Sequence, residues 1–186
     1  RIIRFLAPAE VKGTGMLIWD YDAQSDDMWI FMPALRKTRR IVSGEKGQSF
    51  MGSEFSNADL AAPNTDDFSY KITGSETVDA TECWKIESFP LNDEISNETG
   101  LSKKIIWIGK NDNVCRKTEF YDLDGELYKI LNCSDIRKIA EDKFMAATML
   151  MENIQNGRKS VISMGEIKYN PKVNDEYFTV DYLEKL

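Results

Sequence analysis

Short stretches of β-branched and aromatic residues alternate with turn residues along almost the whole chain. This alternation is typical of an antiparallel meander, in which tight turns join neighbouring strands. Asp124-Gly125 and Asn156-Gly157 indicate hairpin turns, because glycine readily adopts the positive φ that such turns require. The pattern predicts strands near residues 1–7, 14–21, 27–33, 37–43, 67–74, 77–90, 103–109, 114–122, 126–140, 143–155 and 158–169.

The segment 144–154 has a helical alternative, since Ala146, Ala147 and Leu150 are good helix formers. A strand is favoured, because the Asn156-Gly157 turn follows at once and leads into an alternating segment. Helices are expected to be few. The sequence predicts a short one over Glu54 to Ala61 and another within Asn174 to Leu186.

The hairpin around Gly125 allows a more detailed prediction. A three-residue loop at 123–125 places Glu119 opposite Lys129, whereas a two-residue loop shifts every pair by one. The opposite charges favour the three-residue loop by up to about 1 kcal/mol. The same register places Cys115 opposite Cys133, as core residues or as a cross-strand disulfide.

Size and charge exclude several classes of protein. The 186 residues fit one domain with a sizeable core, and no apolar run approaches the roughly 20 residues that a membrane span needs. The net charge of -7 argues against a nucleic-acid partner, because phosphate binding requires a large basic surface.

The chain contains no histidine, which removes the Ser-His-Asp and Cys-His arrangements and histidine-ligated zinc. An EF-hand loop beginning at Asp20 would need glycine at its sixth position and glutamate at its twelfth, but the chain has Ser25 and Phe31 there. Asp20, Asp22, Asp26 and Asp27 therefore indicate a charged hairpin turn. We predict no enzyme, no catalytic residues, no metal site and no cofactor.

The stretch from Trp29 to Leu60 has an unusual order. An aromatic-rich strand ends in Pro-Ala-Leu-Arg, the pair Arg39-Arg40 follows, and Ser-Phe-Met-Gly-Ser at 49–53 leads into an acidic segment. In this order the chain resembles the LolA-like outer-membrane lipoprotein-sorting proteins, the periplasmic LolA/LolB-type superfamily of Gram-negative bacteria. Residues 5–13 also match that family's strand followed by Pro-x-x-x-Lys-Gly, and residues 174–178 resemble its closing segment.

The resemblance implies a mainly β fold: a curved antiparallel sheet that forms an unclosed half barrel, with a few short helices as a lid. A single LolA-like domain over 1–186 is expected. Precursors in this family carry an export signal and further N-terminal structure, so the chain is expected to lack the signal and the first elements. The expected localisation is periplasmic.

The same architecture implies a hydrophobic ligand, by analogy with the family. Our first hypothesis is a periplasmic carrier that holds the acyl chains of a lipid or lipoprotein on the concave face of the sheet, with peripheral membrane encounters. The alternative is a non-enzymatic interaction module that partners an inner-membrane transporter. The candidate ligand-binding residues are Trp19, Trp29, Phe31, Arg36, Arg40 and Met51.

The roles of the two arginines rest on strand geometry. Arg36, Thr38 and Arg40 are expected on one sheet face and Lys37 with Arg39 on the other. An arginine at a cavity rim suits an anionic or carbonyl-bearing ligand. The simpler interpretation is that these arginines are solvated or paired with Glu54, Asp59 and neighbouring carboxylates.

Overall fold

The computed structural model describes residues 1–7, 9–21, 26–61, 65–169 and 171–185. The chain divides into two compact units. The first comprises Arg1–Met51, Ser56–Pro63 and Pro171–Leu186, and the second comprises Gly52–Phe55 and Asn64–Asn170. Each unit contains an antiparallel sheet. The predicted mainly β, antiparallel class is confirmed, with the strands divided between two hydrogen-bonded sheets.

The first unit contains a four-stranded sheet in sequence order. Its strands are β1 (Ile2–Arg4), β2 (Gly15–Trp19), β3 (Asp27–Met32) and β4 (Lys37–Ile41). Alternate side chains of β2 and β3 point to one face, where Met16, Ile18, Met28 and Ile30 pack with Phe50 in a buried core.

The second unit contains a seven-stranded sheet whose strands also follow one another in sequence. They are β5 (Phe68–Val78), β6 (Thr81–Pro90), β7 (Lys103–Gly109), β8 (Cys115–Tyr121), β9 (Leu127–Ala140), β10 (Lys143–Asn153) and β11 (Lys159–Ser163). β5 and β11 are its edges. All eleven predicted strands are therefore present, and 143–153 is a strand rather than the alternative helix. The predicted break at 75–76 is wrong, because β5 continues to Val78 and β6 begins at Thr81.

The helices agree less well with the prediction. Residues 54–57 are not helical, and only Ala58–Leu60 forms a 3-10 turn. Near the C-terminus, a 3-10 turn at Asp175–Phe178 precedes a short helix, α2 (Val180–Leu183). A further helix, α1 (Asp93–Thr99), was not predicted from the sequence. Its signals were readable, because Asn92 caps the Ile95 N–H and Gly100 ends the helix with a φ of 72°.

The predicted register of the β8–β9 hairpin is wrong beyond the turn. The three-residue loop is present, and Tyr121 lies opposite Leu127 as that loop requires. Tyr128 then forms a β-bulge, so the next pairs are Phe120 with Lys129 and Glu119 with Ile130. Glu119 therefore does not face Lys129, and Cys115 does not lie directly opposite Cys133.

A buried ion pair closes the β7–β8 connection. Arg116 donates one guanidinium hydrogen bond to Asp112 and another to the carbonyl oxygen of Val114, the latter at 2.9 Å. Both charged side chains are largely buried, at 6% and 15% exposure for Arg116 and Asp112. The backbone of Gly109 runs against them, and a Cβ there would lie 2.5 Å from Asp112 Oδ1.

Replacing Gly109 by alanine should therefore displace this ion pair. We expect Gly109→Ala to lower the free energy of unfolding by roughly 1–3 kcal/mol, because the added methyl group overpacks two buried charged partners. Gly74→Ala is the matched control, since Gly74 also lies in a strand and a methyl group added there would meet no atom within 4 Å. Denaturant unfolding measures both variants, and equal stability of the two would contradict the expectation.

Candidate ligand-binding surfaces

The seven-stranded sheet has one predominantly apolar face. Directly opposed residues share a face, and one such row crosses the sheet from β5 to β10. It consists of Ile72, Ile86, Ile106, Thr118, Leu131 and Met151. The neighbouring row adds Trp84 with Ile108, and Cys133 with Met149 and Ile162. We call the surface formed by these residues the apolar face.

The opposite surface of the same sheet is charged. Trp107 lies between Lys85 and Lys117, whose ammonium groups sit 5.3 Å and 4.7 Å from the ring centroid. Glu76 accepts hydrogen bonds from Lys85 at 2.6 Å and from the Trp107 indole at 2.9 Å, and these bonds lower the pKa of Glu76. On this side the lysine stems and their ion pairs cover the aromatic ring.

Tyr121 belongs to this charged surface. Its hydroxyl donates to Glu119 at 2.9 Å, and the Lys103 ammonium lies 4.4 Å from its ring centroid. Burial, and next the hydrogen bond to Glu119, raises the pKa of Tyr121 to about 12. The phenol is therefore a neutral donor at physiological pH.

A short strap, defined as Gly52–Phe55, lies on the apolar face. The Glu54 side chain is 6% exposed, and its carboxylate accepts a hydrogen bond from Asn153 Nδ2 at 2.9 Å. Arg158 Nε lies 3.1 Å from the other carboxylate oxygen. A buried carboxylate needs such partners, because its lost hydration would otherwise destabilise the fold.

The backbone of the strap is held as well. The Glu54 N–H donates to Ser160 Oγ at 3.0 Å, and the Glu54 carbonyl oxygen accepts from Lys129 Nζ at 2.7 Å. Lys129 is 7% exposed. Its buried ammonium group thus has a specific acceptor, and the strap is fixed at the β9–β11 end of the apolar face.

The β5–β7 end of the apolar face is open. Ile72 is 59% exposed and Trp84 is 40% exposed, whereas Met151 at the strap end is 1% exposed. Ile86, Ile106 and Ile108 are half-buried between these extremes. The Lys110 ammonium lies 4.2 Å from the Trp84 ring centroid, and beside it the sheet presents isoleucine side chains to solvent.

The first unit carries a second, aromatic surface. Trp29 lies opposite Leu17 and Arg40, so Trp19, Trp29, Phe31 and Arg40 share the face opposite the buried core. The rings of Trp19 and Trp29 meet edge to face with centroids 4.7 Å apart. The Trp19 indole donates to the Phe178 carbonyl oxygen at 2.9 Å, which ties the C-terminal segment to this face.

The other two sequence candidates lie elsewhere. Arg36 ends the four-residue turn between β3 and β4 with a φ of 47°, rather than sharing a strand face with Arg40. Met51 lies in a turn outside the strands, with a φ of 48° and 41% exposure. The fold therefore groups four of the six candidates on one surface.

The arginines of β4 pair with neighbouring carboxylates, as the simpler interpretation expected, but their partners are not Glu54 or Asp59. Arg40 pairs with Asp27, and Arg39 donates to Glu45 at 2.6 Å. Glu54 pairs instead with Arg158. As predicted, Arg39 and Arg40 point to opposite faces of the small sheet. Arg40 is 62% exposed, so its guanidinium combines an ion pair with access to solvent.

The middle of the predicted charged turn, residues 22–25, lies outside the residues that the structure describes, whereas its flanking residues have partners. Asp26 accepts from the Tyr21 N–H at 3.1 Å, and Asp20 pairs with Arg1 at 3.4 Å. Asp22 lies outside the described residues. Among those described, no group of three or more acidic or cysteine side chains is placed to hold a metal ion.

These surfaces belong to a known architecture. A domain described as that of an outer membrane lipoprotein-sorting protein from Vibrio parahaemolyticus matches with 27% identity and a TM-score of 0.91, over 98% of this chain and 76% of that one. A LolA superfamily protein from Nitrosomonas europaea matches with 23% identity and a TM-score of 0.72, over 97% and 76%. The chain therefore has the LolA-like fold that its sequence predicted.

A solved structure with higher sequence identity shows the family. A DUF1329 family protein from Desulfovibrio piger ATCC 29098 is 32% identical, with a TM-score of 0.90 over 98% of this chain and 75% of that one. A family model whose description reads "Uncharacterized protein" matches residues 1–185. The chain belongs to the DUF1329 family. No curated protein matches its sequence significantly, and no helix among the described residues is long and apolar enough to cross a membrane.

Removing the Glu54 carboxylate should loosen the strap. We expect Glu54→Ala to lower the free energy of unfolding by roughly 2–4 kcal/mol, since Asn153 and Arg158 lose a buried acceptor. Glu141→Ala, at an exposed position between β9 and β10, is the control and should change stability by less than about 0.5 kcal/mol. Urea unfolding of both variants provides the measurement. A Glu54→Ala protein as stable as the control would show that the cluster does not hold the strap.

Proposed function

We propose that this protein is a non-enzymatic carrier of the bacterial periplasm that binds the acyl chain of a lipid or lipoprotein on the apolar face. The observation that carries this proposal is the open β5–β7 end of that face. There, Ile72 and Trp84 are exposed and lie beside half-buried isoleucine residues. The opposite surface of the sheet, in contrast, is covered by charged side chains. Contact with a linear apolar ligand is more favourable for such an exposed apolar surface than contact with water.

The energetics support an acyl chain. Covering apolar surface contributes roughly 25 cal/mol per Å², or about 0.8 kcal/mol for each buried methylene, before the cost of ordering the ligand. Met149 and Met151 add flexible side chains that suit ligands of variable shape. Binding energy should therefore increase with chain length until the open surface is covered.

The similarity to a solved structure also supports a carrier function. The Vibrio parahaemolyticus domain is described as belonging to a lipoprotein-sorting protein, which supports both the class of ligand and the periplasmic location. The residues selected from the sequence are proposed to form a further contact surface. Trp19, Trp29 and Phe31 are proposed as a separate surface of the first unit for apolar groups, with Met51 as an exposed apolar side chain of the same unit, and Arg36 and Arg40 would suit anionic or carbonyl groups.

A matched pair of variants tests the proposal. Ile106 and Ile105 are adjacent, half-buried and on opposite faces of β7, with Ile106 on the apolar face. In calorimetric titrations with fatty acids of increasing length, delipidated protein should bind longer chains progressively better. Ile106→Ser should weaken binding roughly 5- to 30-fold, which corresponds to about 1–2 kcal/mol of lost apolar contact. Ile105→Ser should bind like the unaltered protein if both variants remain folded.

Two results would contradict the carrier function. One is the absence of measurable affinity at any chain length in folded, delipidated protein. The other is equal weakening by the two isoleucine variants. Mass spectrometry of lipids extracted from protein purified from cells provides an independent measurement.

One feature favours the alternative, an interaction module for an inner-membrane transporter. β5 is an edge strand of eleven residues, and all but its two terminal residues are exposed. Its outer hydrogen-bonding groups are suited to pairing with a strand of a partner protein. A failed lipid titration together with partner binding that is lost on substitution of β5 by proline would support this alternative.

A further inference from the structure

Two thiols of the seven-stranded sheet are neighbours on the apolar face, through a register that the sequence did not predict. The pairs Ile108–Cys115 and Cys133–Met149 follow the row that runs through Ile106, Thr118, Leu131 and Met151, so Cys115 in β8 and Cys133 in β9 occupy adjacent positions of the next row. Both cysteines are free thiols. Cys115 is half-buried, and Cys133 is 5% exposed. Cys115 is therefore the more exposed residue of the two.

β-bulges produce this arrangement. Between β7 and β8, Trp107 lies opposite Lys117 but Ile108 lies opposite Cys115, so Arg116 is an extra residue in β8. Cys115 and Thr118 are three positions apart and would face opposite sides of a regular strand. Instead, Cys115 Sγ lies 3.3 Å from Thr118 Oγ1. The bulge therefore turns Cys115 onto the apolar face, where Cys133 already lies.

We propose that Cys115 and Cys133 form a dithiol that small-molecule disulfides oxidise to an intramolecular disulfide, with Cys115 as the attacking thiol and Cys133 as the resolving thiol. The Cys115 thiolate attacks one sulfur of the oxidant, which forms a mixed disulfide and releases one thiolate. Cys133 then loses its proton to solvent and attacks the Cys115 sulfur, which expels the second thiolate. The two cysteines are oxidised and the disulfide reagent is reduced to two thiols.

The groups around the two sulfurs indicate which thiol attacks and which resolves. The hydrogen bond from Cys133 stabilises the Cys115 thiolate and lowers the pKa of Cys115 to about 7, whereas the same contact raises the pKa of Cys133. The buried Arg116 guanidinium adds positive charge near both sulfurs. Cys83, which is fully buried, has its pKa raised by burial and is expected to react slowly.

The test uses the whole chain after reduction and removal of the reductant. Oxidised glutathione should reduce the number of titratable thiols from three to one, counted after denaturation in acid. Peptide mass mapping should show a Cys115–Cys133 bridge within single chains, with Cys83 as the remaining thiol. A bridge that contains Cys83, a bridge between chains, or three unreacted thiols in the folded protein would overturn the proposal.

Three variants test the order of the two steps. Cys133→Ser should accumulate glutathione on Cys115, because no second thiol can displace it. Cys115→Ser should retain both of its thiols over the period that oxidises the unaltered chain. Cys83→Ser is the control and should form the bridge at the original rate. Equal reaction of Cys115→Ser and the control would refute the assignment of Cys115 as the attacking thiol, and circular dichroism confirms that each variant is folded.

Discussion

Alternation of side chains along antiparallel strands is the constraint on which the rest of this structure depends. In the seven-stranded sheet it places Ile106 on one surface and Ile105 on the other, although both are apolar neighbours. The surface with Ile106 becomes the apolar face, and the surface with Ile105 is covered by lysine and glutamate side chains. The proposed binding of an acyl chain depends on this separation, because charged groups beneath the chain would have to lose their hydration.

Interruptions of the alternation are as informative as the alternation itself. The bulge at Arg116 brings Cys115 onto the same face as Thr118, and the bulge at Tyr128 shifts the partners of β8 by one residue. A bulge changes the face on which every later residue of its strand lies. The proximity of Cys115 to Cys133 is therefore a result of register, and the residues themselves carry no special motif.

The sequence predicted the strands well because hairpin turns and β-rich segments are local signals. It could not predict the Glu54 cluster, because its partners at 129, 153, 158 and 160 become neighbours only after the sheet has formed. The open end of the apolar face was also missed. Residues 103–109 read Lys-Lys-Ile-Ile-Trp-Ile-Gly, and with apolar residues on both sides of the strand the pattern does not indicate which face binds.

The distribution of contacts along the chain has a kinetic consequence. Each pairing in the seven-stranded sheet joins consecutive strands, so the sheet can assemble hairpin by hairpin with little loop-closure entropy. The strap differs, because Glu54 and Ser160 are separated by 106 positions. Its contacts should form late in folding, because the partners on β9, β10 and β11 must already be in place. Until the strap docks, the β9–β11 end of the apolar face is uncovered, although every strand of the sheet is already paired.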